Sequence, residues 1–245
     1  HVDASGNPIE PLQDEQPKVK KLEAKTEGQQ RYIDTIHNHE ITLCSGKFGT
    51  GKTHIAIGLA VEYLRMNRVK QIIISRPSIS ACNESQGFYP GNSTEKLMPF
   101  VLNVLDELRY YCTNAEIKKW TETEKFRLMP VELLRGHNWH DSFVVIDECA
   151  NLTFRQVELI ISRLGQRGKL VMSADFSQSD LPPHKRGGFR AFFEILAGMP
   201  QIGICHLGPE DIVRSDFLKE ILRRIEEYRG PIEQFEEIKE KFMQY

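Results

Sequence analysis

Apolar residues in this chain collect in short unbroken runs, set between longer stretches with a helical repeat. The runs are "EITLCS" at 40–45, "QIIIS" at 71–75, "SFVVIDE" at 142–148, "KLVMSA" at 169–174 and "IGICHL" at 202–207. Runs that are apolar throughout, rather than alternating, predict strands covered on both faces. Between them the spacing predicts helices over 27–38, 53–66, 95–112, 153–164, 188–197 and 209–228. The stretch near 126–135 reads as a short strand or a short helix, and 76–95 as a long irregular segment. Strands alternating with helices predict an α/β fold of three layers around a central, mostly parallel sheet. There is no internal repeat.

The two ends break this pattern. Residues 1–20, "HVDASGNPIEPLQDEQPKVK", are polar and aperiodic, which predicts a disordered lead-in. The start at His1 rather than Met suggests a tag remnant or a trimmed beginning. Residues 230–245, "GPIEQFEEIKEKFMQY", predict a charged helical tail, packed on a neighbour or solvated. One domain is therefore expected over 21–229.

Composition narrows the classes. With 40% apolar content in 245 residues the chain can bury a sizeable core, and no run approaches the roughly 18 apolar residues of a membrane span. A net charge of −2 gives no global attraction for nucleic acid, so any such binding must come from a local patch. Cys44, Cys82, Cys112, Cys149 and Cys205 are scattered and never spaced CxxC, which favours buried thiols in a reducing cytoplasm over zinc or disulfides.

The chemistry is concentrated at two strand ends. Gly46-Lys47-Phe48-Gly49-Thr50-Gly51-Lys52-Thr53 fits G-x-x-x-x-G-K-[ST], with a predicted strand before it and a predicted helix after. Glycines let the backbone curl so that successive N–H groups face phosphate oxygens; Lys52 reaches the β and γ phosphates and the Thr53 hydroxyl ligates Mg²⁺. The following helix, opening through Thr53 and His54, aims its positive end at the same anion. In "SFVVIDE", Asp147 at a strand end suits the acidic partner that holds Mg²⁺ through water, and Glu148 can polarise a water for attack on the γ phosphate. A kinase has no use for such a water. Alone, the Asp-Glu pair would also suit a helix N-terminus.

Other positions carry two readings each. Asp175 and Gln178, after "KLVMSA", suit a γ-phosphate sensor or a turn. Gln29 suits an adenine reader, or the partner of Thr26 in a capping box. Lys47 suits a γ-phosphate or subunit contact, or plain solvent. The chain is too short for a second nucleotide-binding domain, so the site is expected to be completed in trans by an arginine in a homo-oligomer. Arg214 is the first candidate, Arg76 the second, Arg186 and Arg190 the third; for each, a surface ion pair is the alternative. Basic clusters at 118–120, 163–169 and 184–190, with Phe88 and Tyr89 in "GFYPG", suit single-stranded RNA or a solvated face.

Taken in order, "KTEGQ", "GTGKT", "SRP", "GFYPG", "LRG", "IDE…N", "D..Q.DLP" and "EDIVR" resemble the PhoH-like family of P-loop ATPases, over about Lys25 to Tyr228. The resemblance implies a RecA-like fold similar to the nucleotide-binding domain of superfamily 1 helicases. It also implies ATP and Mg²⁺ as cofactors, hydrolysis, oligomeric rings and an association with RNA. It places nucleotide contacts at Gln29, Gly46, Phe48, Gly49, Thr50, Gly51, Lys52, Thr53 and His54, and metal contacts at Thr53 and Asp147. Glu148, Lys52, Gln178, Arg214 and Arg76 are the expected catalytic groups. Cys149-Ala150 stands where the family commonly has Ala-Gln, Ala174 where it has Gly, and Lys47-Phe48 where it has Pro-Ala. No nuclease module of the kind some relatives carry is visible. A slow nucleotide-gated clamp is an alternative to a motor, and a P-loop kinase a more distant one.

Overall fold

The computed structural model describes residues 20–77, 93–134, 138–179, 181, 186–215, 217–221, 223–224 and 227–228, with 93–100 described as helical backbone alone. The chain runs α1 (Glu27–Asn38), β1 (Ile41–Gly46), α2 (Lys52–Arg65), β2 (Gln71–Arg76), α3 (Ser93–Tyr111) and α4 (Asn114–Glu122). It continues through β3 (Phe126–Pro130), β4 (Ser142–Ile146), α5 (Phe154–Ile161), β5 (Lys169–Ala174), α6 (Gly188–Ile195) and β6 (Ile202–Leu207). The six strands order β3-β2-β4-β5-β1-β6 in one sheet, and every pairing is parallel.

The unbroken apolar runs have their explanation in two cores. Alternate strand residues point to opposite faces. Cys44, Ile72, Ile74, Phe143, Val145 and Val171 pack under α1, α2, α3 and α4. Leu43, Ile73, Val144, Ile146, Leu170 and Met172 pack under α5 and α6. Each fully buried side chain of this size contributes about 1.5–3 kcal/mol relative to exposure, so the four inner strands are apolar on both faces, whereas the edge strand β6, expected to be covered on both, leaves Ile204 and His206 exposed. Cys44, Cys112, Cys149 and Cys205 are buried thiols within these cores.

Three segments differ from the sequence expectation. α4 went unread because its residues are polar, yet Thr113 and Glu116 form a capping box and Ile117 anchors the helix to the core. The ambiguous stretch near 126–135 is both things, β3 followed by a 3₁₀ turn at Val131–Leu133. The helix expected over 209–228 is instead a 3₁₀ turn at Pro209–Asp211, then non-helical backbone to Ser215, with helix from 217. Asp211 explains the break. It is buried, and accepts from Thr26 Oγ1 at 2.5 Å and from Gly208 N–H at 2.9 Å, so its carboxylate closes the turn and is locked to the start of α1. Gly28 leaves the room for this: a Cβ there would lie 2.2 Å from Asp211 Oδ1.

Residues 1–19 and 229–245 lie outside the described residues, and with them the expected lead-in and tail. Lys20 already packs on the domain, with its N–H on Tyr110 O at 3.2 Å and its ammonium 4.7 Å from the Tyr110 ring.

Candidate nucleotide site

The site forms along the carboxyl edge of β1, β5 and β4, where open α/β sheets place their ligands. β1 delivers the phosphate loop. Gly49 and Gly51 sit at φ +86° and +84°, a left-handed conformation that side-chain-bearing residues rarely adopt, and this curls the loop into α2. Gly51 is the N-cap of α2 and offers no side-chain acceptor, so the first N–H groups of that helix remain available to an anion.

The loop is held from several sides. Lys52 is 8% exposed, and its ammonium donates to the carbonyls of Gly46 at 2.6 Å and Lys47 at 2.9 Å. Burial lowers the pKa of Lys52 from the ordinary lysine value. Thr50 Oγ1 donates to Lys47 O at 2.8 Å, Gln29 Nε2 to Thr50 O at 3.0 Å, and Val213 N–H to Gly49 O at 3.1 Å. Asp175 Oδ2 accepts from the Phe48 N–H at 2.9 Å. Lys47 is half-buried rather than fully solvent-facing.

The tip of β4 brings Asp147 to the loop. Its Oδ2 accepts from Thr53 Oγ1 at 2.7 Å, while Oδ1 accepts from Ser173 Oγ at 2.8 Å and from the Glu148 N–H at 2.9 Å. β5 lies between β1 and β4, so Ser173 reaches Asp147 while Asp175 reaches the loop. Ser173 was missed by sequence reasoning; its signal is a hydroxyl inside an otherwise apolar run. Glu148 adopts φ 53°, ψ 38°, and its carboxylate is ion-paired with Arg76 at the end of β2.

Several expected residues occupy other places. Gln29 does not complete a capping box: Thr26 Oγ1 accepts from the Gln29 N–H at 3.1 Å, but Gln29 Oε1 accepts from Lys25 N–H at 2.8 Å. Arg214, expected to serve a neighbouring subunit, lies on its own loop, its guanidinium 4.8 Å from the Phe48 ring centre. Phe48 itself is 59% exposed. His54 turns away from the loop toward α3, with Nδ1 2.8 Å from Glu107 Oε2 and Nε2 2.6 Å from the Tyr111 hydroxyl. Gln178 is exposed; its N–H donates to Asp175 O at 3.1 Å, and Asp175 Oδ1 also accepts from Ser177, so the turn chemistry is realised.

A cleft of about 450 Å³ runs from Lys52 and Thr53 past Phe48 and Arg214 to Gln29, His54 and Tyr110. That volume lies within the roughly 300–1,000 Å³ of small-molecule sites. Within the basic cluster at 163–169, two cations are engaged by the protein itself. Arg167 pairs with Asp141 through both its Nε and NH2 groups. Lys169 donates to the carbonyls of Ile36, His37 and His39 at the end of α1, and burial brings its pKa down to about 8. Phe189, the aromatic within the basic stretch 184–190, is 1% exposed and belongs to the core. Phe88 and Tyr89 lie outside the described residues.

A curled glycine loop, a buried lysine, a threonine–aspartate pair and an all-parallel sheet together define a P-loop NTPase domain with a RecA-like fold. The sequence model of the family described as "PhoH-like protein" matches residues 21–226, and the chain belongs to that family. It is 33% identical over 205 residues to a PhoH-like protein of Synechocystis sp., covering 84% of this chain and 62% of the relative. It is 35% identical over 212 residues to a PhoH-like protein of Mycobacterium tuberculosis, covering 86% and 60%. The chain thus spans less than two thirds of the length of these relatives. Among solved structures, the large terminase of a thermophilic bacteriophage superposes with a TM-score of 0.52 at 14% identity, over 81% of this chain and 50% of the terminase, a likeness of fold. Among the described residues no helix is long and apolar enough to cross a membrane.

Proposed function

We propose that this chain hydrolyses ATP to ADP and inorganic phosphate with Mg²⁺, as a cytoplasmic homo-oligomer acting on or near single-stranded RNA. The observation that carries the hydrolytic reading is the placement of Glu148. It directly follows Asp147, whose carboxylate is 2.7 Å from the Thr53 hydroxyl at the phosphate end of the cleft. Lys52 exchanges its loop carbonyls for phosphate oxygens, and the open N–H groups of the loop and α2 cradle the rest. The Thr53 hydroxyl and the Asp147 carboxylate, 2.7 Å apart, are a hard-oxygen pair that would hold Mg²⁺. Once bound, the ion neutralises charge on the β and γ phosphates. Glu148 orients a water in line and takes its proton as the water oxygen bonds the γ phosphorus. The bridging oxygen leaves with ADP.

Support for RNA comes from family membership and from the exposed Arg186 and Arg190 beside α6, the latter 5.9 Å from the Phe176 ring. Arg214 remains the first candidate for a neighbour's site, and these two follow it. The Arg76–Glu148 ion pair favours a second reading, a clamp whose slow hydrolysis resets assembly.

The test is phosphate release from Mg²⁺·ATP, with and without single-stranded RNA, beside Glu148→Gln. Loss of a positioned base should lower turnover by roughly 10²–10⁴-fold while nucleotide still binds, and EDTA should abolish it. Turnover by Glu148→Gln equal to wild type would sink the hydrolytic assignment, and a phosphorylated acceptor without free phosphate would mean a kinase. An RNA-independent rate at low salt would remove the RNA reading.

A further inference from the structure

The carboxylate that should meet the attacking water already has a partner. Arg76 ends β2, and its guanidinium is ion-paired with Glu148. The two are fixed side by side by the sheet: β2 pairs with β4, Ser75 lies opposite Ile146, and the Asp147 N–H donates to Ser75 O at 3.0 Å. Neither side chain is sealed from solvent, at 22% exposed for Arg76 and 37% for Glu148. Glu148 is also held in an uncommon backbone state. At φ 53°, ψ 38° it is left-handed, a conformation that residues with a side chain rarely adopt. Its N–H is tied to Asp147 Oδ1 at 2.9 Å and its carbonyl accepts from the Asn151 N–H at 3.0 Å. The backbone is thus pinned on both sides, and what can move is the carboxylate–guanidinium contact. A carboxylate engaged by a guanidinium has fewer lone pairs left for a water.

We propose that Arg76 restrains Glu148: it withholds the carboxylate from the attacking water, and a backbone phosphate of a single-stranded nucleic acid that draws the guanidinium away releases it. This rests on the hydrolytic reading of Glu148 above. Phosphate is the chemistry that competes best, because the planar guanidinium matches phosphate and carboxylate alike and the polyanion brings many copies. A strand crossing the carboxyl edge of the sheet would meet the tip of β2. Arg76 is therefore a positioning residue for its own chain's Glu148, in place of the expected role as a finger for a neighbour.

The experiment measures kcat and KM for Mg²⁺·ATP hydrolysis by wild type, Arg76→Gln and Arg76→Lys, each alone, with poly(U) and with oligo(dT) at low salt. Binding of a fluorescent ATP analogue and thermal melting check each variant. Arg76→Gln should raise the strand-free kcat about tenfold, a part of the roughly 10²–10⁴ that a positioned base contributes. KM should stay within about twofold, since a restraint on the base leaves ground-state binding alone. The stimulation by strand should fall toward one, and Arg76→Lys, which keeps the charge but loses the planar fork, should restore only part of the restraint, with a strand-free kcat between those of wild type and Arg76→Gln. Stimulation of wild type by poly(U) or by oligo(dT) identifies the strand as RNA or DNA.

A tenfold loss of kcat in a folded, ATP-binding Arg76→Gln variant overturns the proposal, since the guanidinium would then serve the γ phosphate. A raised strand-free rate with undiminished stimulation, or a wild type insensitive to both strands, overturns the link to the strand. If Arg76→Gln does not fold, Arg76→Lys decides, with wild-type kinetics in both conditions counting against a role that depends on the guanidinium fork. Unchanged Arg76→Gln kinetics beside an inactive Glu148→Gln variant remove the restraint alone, whereas a fully active Glu148→Gln variant removes the hydrolytic reading as well.

Discussion

The two ends of the nucleotide cleft are built on different plans. At the phosphate end, Lys52 and Thr53 open α2 and Asp147 follows β4, and the groups offered to a ligand are backbone N–H groups, one ammonium and one hydroxyl–carboxylate pair. At the far end, Gln29, His54, Tyr110 and Arg214 come from separate segments, and the polar side-chain atoms of Gln29 and His54 are bonded to the protein. The Gln29 amide accepts from Lys25 N–H and donates to Thr50 O, and the two His54 ring nitrogens are hydrogen-bonded to Glu107 and Tyr111. One end is poised for a ligand, and the other braces the loop that grips it. Under the proposed function, this contrast predicts that the domain discriminates on the triphosphate more than on the base.

The largest effect should come from the phosphate end. Lys52→Ala should lower kcat/KM by about 10²–10³-fold, the scale of removing a preorganised charge from the reacting centre. A loss below about fivefold would mean that the buried ammonium is structural. The far end should show itself first in stability. Gly28→Ala drives a methyl into the Asp211 carboxylate and should cost about 1–3 kcal/mol, the range of overpacking. Chemical denaturation should show that cost shrinking when the change is made in an Asp211→Ala background; full additivity would break the proposed contact.

Arg214→Ala should reduce turnover by about tenfold, well short of the roughly 10³–10⁵ of a dedicated arginine finger. Mixing it with Glu148→Gln subunits decides between cis and trans. If Arg214 serves its own loop, mixed assemblies should stay as slow as the separate variants; recovered activity would return it to the neighbour's site. The smallest effect should be on base choice. With the Gln29 amide committed to Lys25 and Thr50, kcat/KM for ATP and GTP should differ by less than about tenfold, because no buried polar group is left unpaired by the wrong base. Discrimination beyond about a hundredfold would show that Gln29 turns to read adenine.

These contrasts follow what was legible in the sequence. The loop and Asp147 were readable because their chemistry is local: glycines at fixed spacing, a strand before, a helix after. The order of strands and helices was readable because two-sided burial leaves unbroken apolar runs. α4 was not, because one buried isoleucine and a capping box leave little periodicity in a polar stretch. Phe189 and the arginines near it looked like an interleaved surface, yet the aromatic belongs to the core, since spacing cannot say which face of a short helix is turned inward. Arg76, Arg214 and Ser173 took their places only once strands distant in sequence became neighbours.

By itself, then, the sequence determined the class of fold, the strand and helix order, the phosphate loop and its acidic partner. These depend on short-range geometry and on the free energy of burying apolar runs. The tertiary structure decided which side chain meets which: Arg76 on Glu148, Arg214 on Phe48, Asp175 on the loop, Asp211 on Thr26. Sheet order places β5 between β1 and β4, and a polar contact of about 3 Å made across that order has no signature in the spacing of either residue along the chain.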